Sequence, residues 1–247
     1  MYCIRENGQK TGAPFFVELK NDSSREKGNI MFFPGSGGAH YFHNVGFPER
    51  TNIYWVHDCF LDPKKDFLDI GAHIGSYTIP CATKANHTYA FECTPKTFCY
   101  LAANVALHRL EDKVSPLPFA LGEKNGEAEI VIRTEDGGGN GMYIYDEESK
   151  GEVVRPRVKI QVRTLDSFEF NNIGFIKMDV EGMEVEVLKG ARETLVRNGF
   201  PKIMFECWSW PGFEPKRKAL FELFSEIGYD RVVKISSAED MWLAEKS

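Results

Sequence analysis

Short apolar runs alternate with longer amphipathic stretches along the chain from about residue 66 onward. The apolar runs predict buried strands at 67–70, 88–92, 114–121, 174–179 and 201–207. Apolar residues that recur every three to four positions between them predict helices at 74–83, 95–108, 183–198 and 216–227. Strands that alternate with helices indicate an α/β fold with a mostly parallel sheet and right-handed crossovers. Two closing strands, 229–235 and 241–244, predict an antiparallel edge.

The remaining segments have weaker patterns. Residues 1–50 are the least regular, with short strand candidates at 15–19 and 29–33 between turn-forming residues. Alternating β-type residues at 127–133 and 158–163 flank a glycine-rich loop, which we expect to be mobile. Without a linker or repeat, the sequence predicts one domain. Residues 51–247 form its main body, and residues 1–50 form an N-terminal extension or cap that belongs to it.

Composition excludes several classes of protein. The 247 residues include 30 Lys and Arg against 36 Asp and Glu, a net charge of −6, which argues against a nucleic-acid-coating surface. No apolar run approaches the roughly 20 residues that span a bilayer. The polar start lacks the apolar core of a signal peptide. Six scattered cysteines without a C-x-x-C pair fit neither a zinc site nor a disulfide framework, so we expect a cytoplasmic protein.

A glycine-containing loop follows the first strong strand and reads Asp69-Ile-Gly-Ala-His-Ile-Gly75. Glycines at a strand end let the backbone turn tightly and approach a ligand. Glu92, at the end of the next strand, can accept hydrogen bonds from ribose hydroxyls. An acid before the first glycine repels pyrophosphate but pairs with an ammonium group, which favours adenosine joined to an amino acid, as in S-adenosylmethionine. An ordinary strand–turn–helix corner is the simpler alternative, and Glu92 in register favours the cofactor.

A second group of acids follows the strands at 174–179 and 201–207. Glu181 and Glu184 suit a helix N-terminus, where carboxylates complement the helix dipole. A role at a helix N-terminus explains Asp179 less well, because Asp179 stands at the end of a buried strand, beside the expected ligand crevice. Asp179, Glu181 and Glu206 are also oxygen donors that can hold a divalent cation.

These motifs together resemble the FkbM family of S-adenosylmethionine-dependent methyltransferases. The resemblance extends from about Asp58 to the C-terminus and rests on ordered motifs: Asp69–Gly75, Phe91-Glu92 with Pro95 and Asn104, Arg163-Thr-Leu-Asp166, Ile176-Lys-Met-Asp-Val-Glu-Gly-Met-Glu184, Val187-Leu-Lys-Gly-Ala191 and Phe205-Glu206. It implies a Rossmann-like class I methyltransferase fold, with a mostly parallel seven-stranded sheet, an antiparallel edge and helices on both faces. It also implies methyl transfer to a hydroxyl oxygen. The sequence departs from the family at His73, where Asn is usual, and at Phe119, where a polar residue is common.

The chemistry of methyl transfer to a hydroxyl suggests roles for individual residues. For catalysis we expect Asp179 first, as the base or as a contact of the methyl donor, then His73, whose pKa range suits proton transfer, with Glu181 in support. Substrate contacts are expected from Glu206, Trp208 and Tyr143, and a metal, if one is used, from Asp179, Glu181 and Glu206. The expected cofactor-binding residues are Asp69, Gly71, Ala72, His73, Gly75, Thr78, Glu92, Ala120 and Asp179.

Other functions agree less well with the sequence. An NAD-dependent reductase would carry G-x-G-x-x-G, and an N-methyltransferase would carry [DN]-P-P-[YF] where Asp179-Val-Glu-Gly182 stands. A non-catalytic S-adenosylmethionine-fold module would be expected to lose the acids that this chain retains. The leading acceptor is a small-molecule or glycan sugar hydroxyl, on a deoxyhexose such as rhamnose or fucose. Lipid and polyketide hydroxyls remain alternatives, and the sequence does not define the oligomeric state.

Overall fold

A seven-stranded sheet forms the centre of the computed structural model, which describes residues 15–18, 30–33, 47, 49–133, 140–141, 154–236 and 240–247. Its strand order is β11-β12-β10-β9-β3-β4-β5, and the strands are β3 (Asp66–Ile70), β4 (Thr88–Phe91), β5 (Val114–Leu117), β9 (Ile173–Met178), β10 (Lys202–Glu206), β11 (Arg231–Ser236) and β12 (Met241–Glu245). The five strands from β10 to β5 are parallel, and β12 and β11 add the antiparallel edge. The predicted Rossmann-like sheet is confirmed.

The central strands are apolar because both of their faces are covered. In β3, Phe67 packs into one apolar layer, while Leu68 and Ile70 pack into the other. Successive side chains of a strand point to opposite faces, so Asp69 shares the face of Phe67. Asp69 is nevertheless fully buried, which makes it the exception in an otherwise apolar strand.

Helices cover the two faces of the sheet and connect its strands. They are α1 (Arg50–Trp55), followed by a π-helical turn over Val56–Phe60, α2 (Thr78–Ala82), α3 (Pro95–Leu107), α4 (Glu184–Lys189), α5 (Arg192–Arg197) and α6 (Glu214–Ile227), with single 3₁₀ turns at Leu165–Phe168 and Pro211–Phe213. Pro95 opens α3 as predicted. The sequence reading missed α1, which has few apolar repeats.

Two predicted elements are each divided in the structure. The single helix expected at 183–198 is α4 and α5, because the chain breaks at Gly190, where a β-carbon would lie 2.0 Å from the carbonyl oxygen of Gly122. The single strand expected at 114–121 ends at Leu117. Pro118, which has no N–H to donate to a ladder, separates it from β6 (Ala120–Leu121).

A second, three-stranded sheet has the order β6-β8-β7, with β7 at Gly126–Val131 and β8 at Arg157–Arg163. The alternating segments near 127–133 and 158–163 are thus strands, as predicted, and they pair with each other in antiparallel register. Most of the glycine-rich loop between them lies outside the described residues.

The N-terminal segment contributes a two-stranded antiparallel ribbon of β1 (Phe15–Glu18) and β2 (Ile30–Phe33). Met31 and Phe47 are buried in the apolar layer that also contains Phe67. These contacts are compatible with an extension belonging to the same domain, and the boundary at residue 50 stays a prediction. Among the described residues, no helix has the length and apolar character that crossing a membrane requires.

Candidate active site

A cleft opens at the carboxyl ends of the central strands, where open α/β sheets bind ligands. The chain runs from β3 outward to β4 and β5, then returns to the other side of β3 as β9 and β10. The cleft therefore lies at the topological switch point. The cleft extends from Asp179, after β9, to Phe119, after β5. These two strands are three strand spacings apart, a width of about 14 Å.

A tight turn between β3 and α2 forms the floor of the cleft. Gly71 has a φ of +81°, His73 of +53° and Gly75 of +101°, all in the left-handed region. A β-carbon at Gly71 would lie 1.8 Å from the backbone oxygen of Asp179, so only glycine fits between the ends of β3 and β9. Asn is the non-glycine residue that adopts this conformation most readily, together with Asp and His. This explains why the family's usual Asn and the His73 of this chain are both accommodated. The turn also shortens the helix predicted at 74–83.

Glu92 lies at the end of β4 with its carboxylate in the cleft. Its Oε2 accepts the backbone N–H of His73 at 3.1 Å, and its Oε1 accepts that of Thr94 at 2.7 Å. Burial raises the pKa of Glu92 to about 7, although these hydrogen bonds oppose the increase. Each carboxylate oxygen has a second lone pair, so Glu92 can also accept hydrogen bonds from a ligand's hydroxyls.

Asp69 lies beneath the cleft and does not line it. Its Oδ2 accepts a hydrogen bond from Thr78 Oγ1 at 2.5 Å, while its Oδ1 accepts none from the described residues. Lys177 Nζ lies 3.9 Å from that second oxygen. Burial raises the pKa of Asp69, and the charge of Lys177 is the largest opposing effect.

Lys177 connects the buried acid to the cleft. Its ammonium donates to the carbonyl oxygen of Gly71 at 3.1 Å and to Asp179 Oδ2 at 3.3 Å, and it lies 5.2 Å from the centre of the Tyr77 ring. Burial alone would lower the pKa of Lys177, but the carboxylates of Asp179, Asp69 and Glu49 together raise it above its ordinary value. Lys177 is therefore a permanent cation among acids.

Tyr77 brings the N-terminal segment into the cleft. Its hydroxyl donates to Glu49 Oε2 at 2.6 Å, and both residues line the same cleft as Asp179. Burial raises the pKa of Tyr77 well above its ordinary value, and the adjacent Glu49 carboxylate raises it further. The cleft thus includes Glu49, which lies just before α1 in the chain.

The acids after β9 have separate positions. Glu181 lines the cleft, with a left-handed φ of 54°. Glu184 is buried, and its Oε1 accepts the backbone N–H groups of Gly182 at 3.2 Å and Val180 at 3.4 Å. Burial raises the pKa of Glu184 to about 7. Glu184 therefore holds the turn at the start of α4, in agreement with the simpler interpretation of its sequence position.

Glu206, at the end of β10, lies outside the cleft wall but close to its acids. Burial raises the pKa of Glu206 to about 9, and the charges of Asp179 and Glu181 add to the increase. Trp208 Nε1 donates to Glu206 Oε2 at 2.9 Å. Among the residues that the structure describes, no three His, Cys, Asp or Glu side chains are arranged to hold a metal ion. The suggested ligation of a metal by Asp179, Glu181 and Glu206 stays a prediction.

The predicted site residues fall into three groups. Those that line the cleft are Gly71, Ala72, His73, Glu92, Ala120, Asp179 and Glu181. Those that lie beneath or beside it are Asp69, Gly75, Thr78, Glu206 and Trp208. Tyr143 lies outside the described residues. The individual roles of all these residues stay predictions.

The residues that sequence reasoning missed in this cleft include the interacting group of Lys177, Tyr77 and Glu49. A signal for Lys177 was present, because a lysine between Ile176 and Met178 interrupts a strand that is otherwise buried. A buried lysine requires an acidic partner. No comparable signal distinguishes Glu49 or Tyr77 from ordinary surface or core residues.

The sequence matches the Methyltransferase FkbM domain over residues 69–231, which is more than half of the chain. The chain belongs to the FkbM methyltransferase family. This confirms the resemblance inferred from the motifs. The matched region contains the glycine turn at 71–75, Glu92 and the Ile176–Glu184 motif.

Two named relatives and one solved structure are similar to this chain. The chain is 28% identical to the hexuronic acid methyltransferase AglP of Haloferax volcanii, over 72% of this chain and 69% of that protein. It is 29% identical to the methyltransferase sdnD of Sordaria araneosa, over 65% of this chain and 73% of that protein. A solved FkbM methyltransferase from Methylobacillus flagellatus superposes with a TM-score of 0.56 at 18% identity, over 83% of this chain. The match covers 49% of that longer chain, and at this identity it shows the fold.

Proposed function

We propose that this protein is an S-adenosylmethionine-dependent O-methyltransferase that methylates a hydroxyl group of a sugar. The observation that carries the proposal is the pairing of two carboxylates in one cleft of an FkbM-family fold. Glu92 and Asp179 end strands on opposite sides of β3, and both line the switch-point crevice. One can bind the cofactor while the other faces the reacting end.

The residues present fit the cofactor. Glu92 offers a buried carboxylate to ribose hydroxyls, and Phe119, Leu121 and Ile130 give an apolar wall for a flat ring. Gly71 keeps the floor free of side chains at the closest backbone approach. Asp179, Glu181 and Glu49 make the β9 side of the cleft acidic, which suits a ligand that carries positive charge. When bound, S-adenosylmethionine supplies a methyl group on a sulfonium.

Asp179 is the residue proposed to handle the acceptor proton. Its side chain is 28% exposed toward solvent, in contrast to the buried Asp69. A hydroxyl placed against it can pass its proton to the carboxylate as the oxygen gains its methyl bond. Lys177 neutralises one Asp179 oxygen and orients it. His73, whose backbone amide is held by Glu92, is the alternative acceptor of that proton.

A sugar is the proposed acceptor because a relative that shares most of its length with this chain is named a hexuronic acid methyltransferase. The acceptor of that relative is a property of that protein. For this chain the deoxyhexose class is the first choice. The acidic side chains at the reacting end of the cleft would repel the carboxylate of a hexuronic acid, and a deoxyhexose has none.

The test combines cofactor binding with a transfer screen. Calorimetry should show binding of S-adenosylmethionine. Transfer of labelled methyl to rhamnosides, fucosides, hexuronides, hydroxylated lipids and polyketides, followed by mass spectrometry, should identify an O-methylated sugar. Asp179→Asn should reduce the rate about 10²- to 10⁴-fold, whereas Glu222→Gln, on the exposed face of α6, should leave it unchanged. A protein that does not bind the cofactor, or that methylates only lipids or polyketides, would refute the proposal.

A further inference from the structure

The pair formed by Asp69 and Lys177 is unusual for its position. The two residues are register partners on the adjacent parallel strands β3 and β9, and their side chains are 0% and 5% exposed. Removing two charges from water is costly, and well-packed apolar residues can replace such a pair without loss of stability. The retention of both charges therefore calls for a role beyond holding the strands together.

Lys177 contacts both parts of the site that must be placed relative to each other. Its ammonium donates to Gly71 O, which belongs to the cleft floor, and to Asp179 Oδ2, which belongs to the cleft wall. Its remaining side faces Asp69 Oδ1 and the ring of Tyr77. One buried cation thus links the turn that carries the floor to the proposed base.

We propose that Lys177 is a positioning residue, held from behind by Asp69, that fixes the Gly71 turn and the Asp179 carboxylate in one arrangement. In this scheme Asp69 acts on the cleft only by holding Lys177 in place, and it does not contact the cofactor. The inference rests on the proposed function for its kinetic consequence. Its structural consequence, the ordering of the turn, does not depend on activity.

Lys177 itself is not the base in this scheme. The charged and titratable groups near it are Asp69 from β3, Glu92 from the end of β4, Asp179 from the end of β9, Glu49 from the N-terminal segment and Tyr77 from the turn before α2. The carboxylates around this ammonium favour its charged form. Its three N–H donors are then available for orientation.

The experiment uses the full chain and three variants: Lys177→Met, Asp69→Asn with Lys177→Met, and Lys177→Arg. The first leaves Asp69 buried without a cation and should lower the melting temperature. The double variant removes both charges, keeps an oxygen for Thr78 at position 69, and should recover much of that loss. Lys202→Met is the matched control, because Lys202 forms its ion pair with Glu245 at the opposite end of the neighbouring strand β10.

Two measurements are made on the double variant: hydrogen exchange of its backbone amides and the kinetics of methyl transfer. Hydrogen exchange should accelerate at least about tenfold in the amides of residues 71–77 relative to the Lys202→Met control. In methyl transfer, kcat should decrease about 100-fold, the size expected from a misplacement of about 1 Å, with a smaller change in KM for S-adenosylmethionine. Lys177→Arg keeps the charge with a different geometry and should recover part of kcat.

The outcomes separate the inference from the proposed function. A double variant with wild-type kcat, or with unchanged exchange at residues 71–77, would overturn the positioning role while methyl transfer by the wild type stands. Wild-type protein that transfers no methyl to any acceptor would overturn the proposed function. The exchange comparison would then still decide whether Lys177 orders the turn.

Discussion

Replacing Glu92 by glutamine should make the protein more stable at alkaline pH and less able to bind its cofactor. Glu92 is buried, and its pKa is raised from 4.5 to about 7, chiefly by loss of hydration. Between these two pH values the folded protein holds a proton that the unfolded chain has already released. The free energy of unfolding therefore decreases as the pH rises through this window, and the cost of ionised Glu92 is complete above pH 7.

The magnitude follows from the pKa. Each pKa unit corresponds to about 1.36 kcal/mol, so ionised Glu92 costs the folded protein about 3 kcal/mol. In the wild type the two carboxylate oxygens accept the backbone N–H groups of His73 and Thr94. The glutamine side chain has one oxygen, which can accept only one of these hydrogen bonds, and its NH₂ group faces the other N–H. Losing that hydrogen bond costs about 1 kcal/mol. Glu92→Gln should therefore destabilise by about 1 kcal/mol at pH 4.5 and stabilise by about 2 kcal/mol at pH 9.

The assay is urea unfolding of the ligand-free protein at intervals from pH 4.5 to 9. Glu184→Gln is the matched positive control, because burial also raises the pKa of Glu184 to about 7 at a position outside the cleft. It should show a similar pH-dependent gain and still bind S-adenosylmethionine. Glu222→Gln, on an exposed helix face, should show no such trend.

Cofactor affinity completes the test. A hydrogen bond to a charged group contributes roughly 1.5–3 kcal/mol, so Glu92→Gln should weaken S-adenosylmethionine binding about 10- to 100-fold. The reasoning is refuted if the stability difference between the variant and the wild type stays constant from pH 4.5 to 9. It is also refuted if the variant binds the cofactor as tightly as the Glu184→Gln control does.

Three further predictions concern the floor and the wall of the cleft. Gly71→Ala should lower the free energy of unfolding, measured by urea titration, by at least about 3 kcal/mol, because the new β-carbon would overlap a backbone oxygen. The control Gly126→Ala, at a position with open space around it, should change the free energy of unfolding by less than about 1 kcal/mol. His73→Asn should keep kcat within about tenfold of wild type, since asparagine accepts the left-handed turn and Asp179 remains; a loss of about 10²-fold or more would assign the base to His73. Exhaustive chelation should leave methyl transfer unchanged, because Lys177 already neutralises Asp179, and a rate restored only by a divalent cation would contradict this.

The placement of the site could be predicted because strand burial and strand ends are local properties of the sequence. Runs such as Ile203–Phe205 are apolar on both faces, so they indicate parallel strands before any pairing is known. Carboxyl ends of parallel strands share one edge, which brings Glu92 and Asp179 to the same cleft. The family motifs then added the chemistry.

What the sequence did not reveal depends on contacts between distant residues. The break at Gly190 is required by the backbone of Gly122, and no periodicity within the helix reports that contact. The pairing of Lys177 with Asp69 depends on the register of two strands far apart in sequence. Glu49 reaches the cleft through a hydrogen bond to Tyr77, and its own surroundings in the sequence are irregular.

The buried pair also bears on how the sheet assembles. Strands β3 and β9 are adjacent although β4, β5 and the second sheet intervene along the chain, so no short turn aligns them. Apolar strands alone would tolerate several alignments. A slip of one residue would move Lys177 opposite Leu68 or Ile70 and leave Asp69 without its cation in an apolar layer. We therefore expect the Asp69–Lys177 pair to favour a single alignment of the central strands during folding.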